Sequence, residues 1–132
     1  MGEVKWKQVN VKQIPRRGSE AFARVGQGHI SLSATACSMI EDVYDYGYVE
    51  VHCGIVNNNA ARIGLRFNKA ESPNSLRLMR RKYKDKFVGG LDITSRALIT
   101  EFFGKSRDNI SKRHPVEKIE SNMISIDITK EI

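Results

Sequence analysis

Cysteine, proline and long apolar runs are scarce in this chain, and each scarcity argues against a class of protein. Only two cysteines, Cys37 and Cys53, occur among 132 residues, too few for a disulfide framework. Their apolar or strand-like surroundings predict buried thiols in a reducing compartment. No stretch approaches the roughly 20 apolar residues that cross a bilayer, and residues 1–7 lack the apolar run of a signal peptide. We therefore expect a cytoplasmic protein without membrane contact.

Catalytic and metal-binding motifs are also missing. The three histidines, His29, His52 and His114, are scattered without a Cys-x-x-Cys or His-x-x-x-His spacing. His52 and Cys53 are neighbours on a predicted strand, so their side chains point to opposite faces. The glycine-containing turn at residues 26–28 lacks the lysine and the following helix of a phosphate-binding loop. The sequence thus predicts no enzyme, no metal site and no cofactor.

Positive charge is what the chain has in excess. Lysine and arginine total 22 against 15 acidic residues, which gives a net charge of +7 and an isoelectric point near 9.6. A domain with this balance attracts polyanions, of which nucleic acid is the commonest in the cytosol. The alternative is that the charge only keeps the protein in solution, since basicity alone identifies no target.

Alternating apolar and polar residues predict a strand-rich α+β fold. An imperfect opening strand, over residues 4–11, leads into a basic loop. One hairpin turns at residues 26–28, and a second joins two strands through Asn57-Asn58-Asn59. A short helix lies between the hairpins, with Ser33 as its N-cap. The last strand covers residues 123–128.

The second half of the chain repeats this order of elements. Gly89-Gly90 precedes a short predicted strand, Thr94 is the predicted N-cap of a second helix, and Gly104 is its predicted C-cap. Three stretches match by pattern: 30–33 with 91–94, 49–50 with 116–117, and 63–65 with 124–126. We interpret the chain as two related strand–helix–hairpin units. The alternative is a coincidence between two amphipathic stretches.

The predicted boundaries divide the chain into four segments. They are an N-terminal strand and basic loop at 1–20, a first unit at 21–70, a basic connector at 71–88 and a second, related unit at 89–132. The break between residues 68 and 75 is the clearest, because Pro73 interrupts the pattern there.

Several features of the first unit, in order, match a known family pattern. They are Arg24-Val25, the turn at 26–28, Ile30-Ser31-Leu32, Ser33, Tyr48 to Val51 and Ile63-Gly64-Leu65. Over about a third of the chain this order resembles the AbrB-type swapped-hairpin transcription regulators. The chain departs from the family in having Ser33 where proline is usual, a longer segment before Tyr48 and an added basic half. The whole chain is also similar to bacterial and mobile-element proteins that contain both units.

The AbrB-type resemblance has implications for fold, partner and site. It implies a swapped-hairpin barrel and DNA binding as a transcription regulator. It implies a homodimer, which we expect, or a one-chain pseudo-dimer whose strands interlock. It also implies that Arg24 occupies a DNA-contacting position, with Arg16 and Arg17 just upstream.

A cluster of six cationic residues is the strongest electrostatic feature of the sequence. Its members are Arg77, Arg80, Arg81, Lys82, Lys84 and Lys86. Phosphate contacts require lysine and arginine on one surface. We therefore predict that this cluster binds the nucleic-acid backbone, while Arg16, Arg17 and Arg24 bind DNA beside the first hairpin. A solvated face is the alternative role for each cation.

The favoured function is nucleic-acid binding, with duplex DNA as the favoured partner. The runner-up is a protein-binding inhibitor or adaptor of mobile-element origin, without catalytic activity. A third hypothesis is single-stranded nucleic-acid binding by exposed tyrosines on a strand platform. Core packing is expected for Trp6 and Tyr48, and exposure for the segment 44–47.

Overall fold

An antiparallel sheet dominates the computed structural model, which describes residues 3–8 and 20–132. Its strands are β1 (Phe22–Gly26), β2 (His29–Leu32), β3 (Tyr48–Val56), β4 (Asn59–Asn68), β5 (Ser75–Arg77), β6 (Met79–Tyr83), β7 (Lys86–Thr94), β8 (Ser111–Glu120) and β9 (Met123–Asp127). Two α-helices, α1 (Ala34–Cys37) and α2 (Arg96–Phe103), connect the strands, as do two 3-10 turns at Val43–Asp45 and Gly104–Arg107. The strand-rich prediction is confirmed.

The sheet nearly closes into a barrel. Its strand order is β5-β3-β4-β9-β8-β1-β2-β7-β6, and the two end strands, β5 and β6, are consecutive in the chain. Only Leu78 separates them. Its side chain is buried, and its N–H donates to the Gly47 carbonyl at 2.9 Å. A single broken strand therefore pairs with β3 through its first part and with β7 through its second.

One apolar core fills the space that the strands enclose. Alternation along each strand turns every second side chain inward. The most deeply buried apolar strand residues are Ala23, Val25, Ile30, Leu32, Val49, Ile63, Leu65, Phe67, Leu91, Ile93, Ile124 and Ile126. Because both halves of the chain contribute to this core, neither half buries its apolar face alone.

Two ladders between the halves of the chain have a symmetric register. Ser31 of β2 lies opposite Asp92 of β7, and Gly64 of β4 lies opposite Ser125 of β9. In both pairs the partners are 61 positions apart (92 minus 31 and 125 minus 64). Two equivalent units around a two-fold axis would have this register. It agrees with the predicted matches of 30–33 with 91–94 and of 63–65 with 124–126.

The predicted match of residues 49–50 with 116–117 is wrong by two positions. Val51 lies opposite Leu65, and Val116 lies opposite Ile126. Because Leu65 corresponds to Ile126 in the symmetric ladder, Val116 corresponds to Val51. A pattern of period two fits equally well after a shift of two residues, so only the long-range pairing determines the register.

Side-chain caps define where the helices begin. The Ser33 hydroxyl accepts a hydrogen bond from a helix N–H at 3.1 Å, as predicted. The N-cap of α2 is Ser95, which accepts from the Leu98 N–H at 3.2 Å, and not Thr94. Thr94 still belongs to β7, because its backbone pairs with β2. Gly104 is the C-cap, as predicted. Among the described residues, no helix is long and apolar enough to cross a membrane.

Residues 3–8 do not form the start of the opening strand that the sequence predicts for residues 4–11. Residues 3–8 belong to no helix or strand, and Val4 and Trp6 are 72% and 92% exposed. A strand needs a partner for its backbone groups, and none of the strands in 20–132 pairs with this segment. Core packing of Trp6 is therefore a wrong prediction. Residues 9–19 lie outside the described part of the chain.

The two cysteines differ in exposure. Cys37 is buried, and burial raises the pKa of its thiol to about 11. Cys53 is exposed, contrary to the prediction. Strand β5 pairs only with residues 48–50 of β3, so Cys53 lies in the part of β3 that β5 does not cover.

The segment predicted as a basic connector contains part of the sheet. Residues 71–88 supply β5, β6 and the start of β7, and Gly89 and Gly90 lie inside β7. The β6–β7 register shifts between Arg80 and Lys82, so the two glycines occupy a bulge. Gly90 has a φ of +104°, and a Cβ there would lie 2.8 Å from the Leu32 carbonyl oxygen. Glycine at this position allows the positive φ that the bulge requires.

We expect Gly90→Ala to lower the free energy of unfolding by about 2 kcal/mol or more. The side chain would add a strained φ, at about 1–3 kcal/mol, to a contact with a backbone oxygen that cannot rotate away. Urea unfolding followed by circular dichroism measures the change. Gly47→Ala is the matched control, because a Cβ at Gly47 meets nothing within 4 Å. Equal losses in the two variants would contradict this account of the bulge.

Candidate nucleic-acid interface

The predicted cationic residues have several different surroundings. Arg16 and Arg17 lie outside the described residues. Arg24 is exposed on β1, and Arg77 is exposed on β5. The remaining five are on the β6–β7 hairpin: Arg80, Arg81, Lys82, Lys84 and Lys86. The structure thus brings most of the predicted cluster onto one hairpin and leaves Arg24 three strands away.

Residues 80–88 of this hairpin, which we call the basic arm, extend past the buried core. Lys82 pairs with Phe87 and Tyr83 with Lys86 at its end. The turn between them has φ values of +50° and +63°, the left-handed geometry of a two-residue hairpin turn. Every residue from 82 to 88 is exposed. The arm contains five cationic residues and one acidic residue, so it is strongly positive.

Arg81 of the arm is paired with a carboxylate of β7. Its Nε and Nη2 donate to Asp92 Oδ1 at 3.0 and 2.9 Å. Burial alone would raise the pKa of the Asp92 carboxyl, but hydrogen bonds from Arg81 and Ser31 hold it below its ordinary value. This ion pair leaves little of the Arg81 charge for a ligand.

The three lysines of the arm are not neutralised in this way. Within residues 3–8 and 20–132, the ion pairs shorter than 4.0 Å do not include Lys82, Lys84 or Lys86. All three are exposed. Their ammonium groups therefore remain available to an anion.

Arg80 lies between two aromatic rings. Its Cζ is 3.9 Å from the centroid of the Tyr44 ring and 4.6 Å from that of Phe87. The Tyr44 hydroxyl accepts a hydrogen bond from the Gly90 N–H at 3.0 Å, which holds this ring against the bulge. Arg80 Nε is buried without a hydrogen-bond partner in the described structure, as expected for a guanidinium covered by rings. Arg80 thus connects the arm to the barrel.

Two aromatic rings of the arm remain exposed. Tyr83 is 65% exposed and Phe87 is 59% exposed. Lys84 Nζ lies 5.5 Å from the Tyr83 ring centroid, and Lys82 Nζ lies 5.0 Å from that of Phe87. Tyr83 and Phe87 belong to adjacent cross-strand pairs and so point to opposite faces of the ribbon. Each face therefore has one ring with a lysine ammonium group over it.

Arg24 has a second arginine as its neighbour across the sheet. It lies opposite Arg113 of β8 on one side and Ser31 of β2 on the other. The Arg113 guanidinium stacks on the Phe22 ring at 4.5 Å. Like charges directly opposite in a sheet are destabilising, and no carboxylate in the described residues lies within 4.0 Å of either guanidinium. No local pattern in the sequence predicts Arg113 at this site, because its position beside Arg24 depends on long-range strand pairing.

A buried histidine connects the C-terminal residues to the barrel. His114 Nδ1 lies 2.6 Å from the Lys130 carbonyl oxygen, and Nε2 lies 3.1 Å from Arg107 Nη1. Arginine can only donate, so Nε2 accepts and the neutral Nδ1–H donates to Lys130. Arg107 also donates to the Val25 carbonyl at 3.0 Å. Burial lowers the pKa of His114, and the nearby charge of Arg107 lowers it further, against the hydrogen bond to Lys130.

Other surfaces have less distinct ligand chemistry. A cleft of about 270 Å³ contains Arg62 and Asp127, which are already paired with each other at 2.7 Å. The described residues include no group of three or more histidine, cysteine, aspartate or glutamate side chains that could hold a metal ion. The basic arm and the Arg24–Arg113 pair therefore form the most distinctive candidate site.

Comparison with protein-family models, curated proteins and solved structures finds no match for this chain. The resemblance to the AbrB-type regulators therefore stays a prediction from the sequence. The geometry of the positive surface is the basis on which a function can be inferred.

We expect the free energy of unfolding to fall as the pH is lowered from 7.5 to 5.5. Unfolded His114 takes up a proton near its ordinary pKa of 6.5, whereas the folded residue does so only at lower pH. Below pH 6.5 the unfolded state therefore binds more protons, and stability falls by up to about 1.4 kcal/mol per pH unit. Urea titrations at the two pH values measure this fall.

Two substitutions separate His114 from the other titrating groups. His114→Gln keeps a donor for the Lys130 carbonyl but cannot be protonated, so the fall with pH becomes smaller. His29→Gln removes an exposed histidine and is the matched control. A wild-type pH dependence in His114→Gln would show that His114 is not the group responsible.

Proposed function

We propose that the protein binds nucleic acid through the basic arm. The observation that supports this most is the group of Lys82, Lys84 and Lys86. These are three exposed ammonium groups at one hairpin end, with no carboxylate within 4.0 Å in the described structure. Backbone phosphates neutralise such charges and release counterions as they do so.

The Arg24–Arg113 pair would be a second contact on the same sheet. Strands β8, β1, β2, β7 and β6 are adjacent in that order, so Arg113 lies four strand spacings from the arm strand β6. At about 4.8 Å per spacing this is roughly 19 Å along the sheet. A nucleic-acid backbone that crosses these strands would meet both sites, and a phosphate between the two guanidinium groups would offset their repulsion.

Transcription regulation is the biological role that the AbrB-type resemblance implies, and we propose it on that ground. A two-stranded ribbon such as the arm fits a DNA major groove, but its lysines would hold a single strand as well. The ladders β2–β7 and β4–β9 lie within one chain. This pairing favours the one-chain pseudo-dimer over the expected homodimer, and light scattering of the purified chain distinguishes them.

A protein-binding inhibitor or adaptor, of mobile-element origin, is the second candidate function. The observation in its favour is the end of the β3–β4 hairpin, where Ile55 and Val56 are 68% and 52% exposed. Exposed apolar residues on a projecting hairpin suit a protein contact. A partner that stays bound after nuclease treatment, and is lost from Ile55→Ser, would support this function over nucleic-acid binding.

The triple variant Lys82→Gln, Lys84→Gln, Lys86→Gln is expected to bind oligonucleotides at least about 10-fold more weakly in 50 mM salt. Each lost phosphate contact also reduces the slope of log affinity against log salt by about 0.7 to 0.9. Fluorescence anisotropy with labelled oligonucleotides at several salt concentrations gives both quantities.

The matched control removes three exposed lysines from other surfaces: Lys69→Gln, Lys105→Gln, Lys118→Gln. Its net charge equals that of the arm variant. Equal weakening in both triples would mean that the arm is not the binding surface. Failure of the wild-type protein to bind any single- or double-stranded oligonucleotide at low salt would contradict the proposed function.

A further inference from the structure

The basic arm exposes more apolar surface than phosphate binding requires. Besides Tyr83 and Phe87, Met79 and Val88 are 53% and 38% exposed on the same hairpin. Single exposed apolar residues are ordinary, but an apolar group bordered by charged residues marks a binding surface. Lysines alone would suffice for a backbone contact, so the rings indicate a ligand with a second chemical feature.

The Phe87 ring is held in place before any ligand binds. Arg80 stacks against it at 4.6 Å and against Tyr44 at 3.9 Å, so the three groups form one column. The hydrogen bond that the Tyr44 hydroxyl accepts from the Gly90 N–H fixes the base of this column to β7. A ring that is already ordered loses little conformational freedom on binding, which favours a planar ligand.

We infer that the arm binds unpaired nucleotides, with Phe87 as the ring on which a base stacks. This inference rests on the proposed function and names its substrate class. Lys82 Nζ lies over the Phe87 ring at 5.0 Å from its centroid, so a stacking base would displace this ammonium group from the ring face toward the phosphate of the same nucleotide. Tyr83 and Lys84 repeat the combination on the other face of the ribbon. Alternating rings and cations are the feature that single-strand-binding surfaces share.

Duplex DNA does not suit the Phe87 ring. In a duplex both faces of each base are covered by neighbouring bases, and a ring reaches them only by unstacking a base step. A single strand presents its base faces without that penalty. The lysines by themselves favour the duplex, which has the higher charge density. A preference for single strands would therefore be due to base stacking on the rings and not to the lysine charges.

The first experiment compares a 15-nucleotide single strand with the duplex of the same sequence, in DNA and in RNA. Wild-type protein should bind the single strand at least about 10-fold more tightly at equal salt. Phe87→Leu should weaken single-strand binding about 10-fold, as expected for the loss of one stacked base, and leave duplex binding within about 2-fold. Phe87→Trp keeps an aromatic ring and should retain the preference for single strands.

The second experiment follows stacking directly. In a Trp6→Phe background, Phe87→Trp leaves one tryptophan, on the arm. Its fluorescence should be quenched by the single strand and much less by the duplex. The control reporter is Ile119→Trp in the same background, at an exposed position of the β8–β9 hairpin. Quenching of that reporter to the same extent would overturn the inference.

The outcomes separate this inference from the proposed function. If neither single strand nor duplex binds, the proposed function fails and the inference fails with it. If the duplex binds as tightly as the single strand, and Phe87→Leu weakens both equally, nucleic-acid binding stands and the stacking site is refuted. Retained preference for single strands in Phe87→Leu would also refute Phe87 as the stacking ring.

Discussion

The closure of the sheet by one broken strand is the constraint on which the rest of the structure depends. Strands β5 and β6 lie at the two ends of the sheet and follow each other directly in the chain. The buried Leu78 between them donates its N–H to the Gly47 carbonyl. An open sheet would leave two edges with unpaired backbone groups. The closing strand continues past the buried core, where residues 82 and 83 of β6 pair with residues 86 and 87 of β7. Closure thus determines where the basic arm begins, and Gly90 permits the bulge at its base.

The same arrangement sorts the cations of the arm by their surroundings. Arg81 is paired with Asp92, and Arg80 is covered by the Tyr44 and Phe87 rings. These two residues hold the arm to the barrel. The lysines nearer the turn have no carboxylate partner within 4.0 Å among residues 3–8 and 20–132. Structural and binding roles are therefore divided along one short stretch of sequence, and a ligand would meet an ordered ring beside exposed ammonium groups.

Local patterns in the sequence predict much of this fold, because strands and hairpin turns depend on alternation and on left-handed turn residues. The glycine turn at 26–28, the asparagine turn at 57–59, the Ser33 cap and two of the three repeat matches follow from such patterns. Long-range pairing determines the rest. No local pattern predicts that Arg113 lies beside Arg24. None predicts that Val116 corresponds to Val51, two residues from the predicted match. Composition alone does not predict burial, as Trp6 shows. This aromatic residue lies in a stretch with the pattern of a strand, but it is exposed because no strand of the described residues pairs with it.

Nuclear magnetic resonance of the ¹⁵N-labelled chain, titrated with a single-stranded oligonucleotide, tests the central claim most directly. If the arm is the nucleic-acid surface, the largest amide shifts will fall in residues 80–88, with smaller shifts around Arg24 and Arg113 on the adjoining strands. The end of the β3–β4 hairpin at residues 54–60 will be unaffected. Shifts concentrated at that hairpin, with none in the arm, would contradict the account.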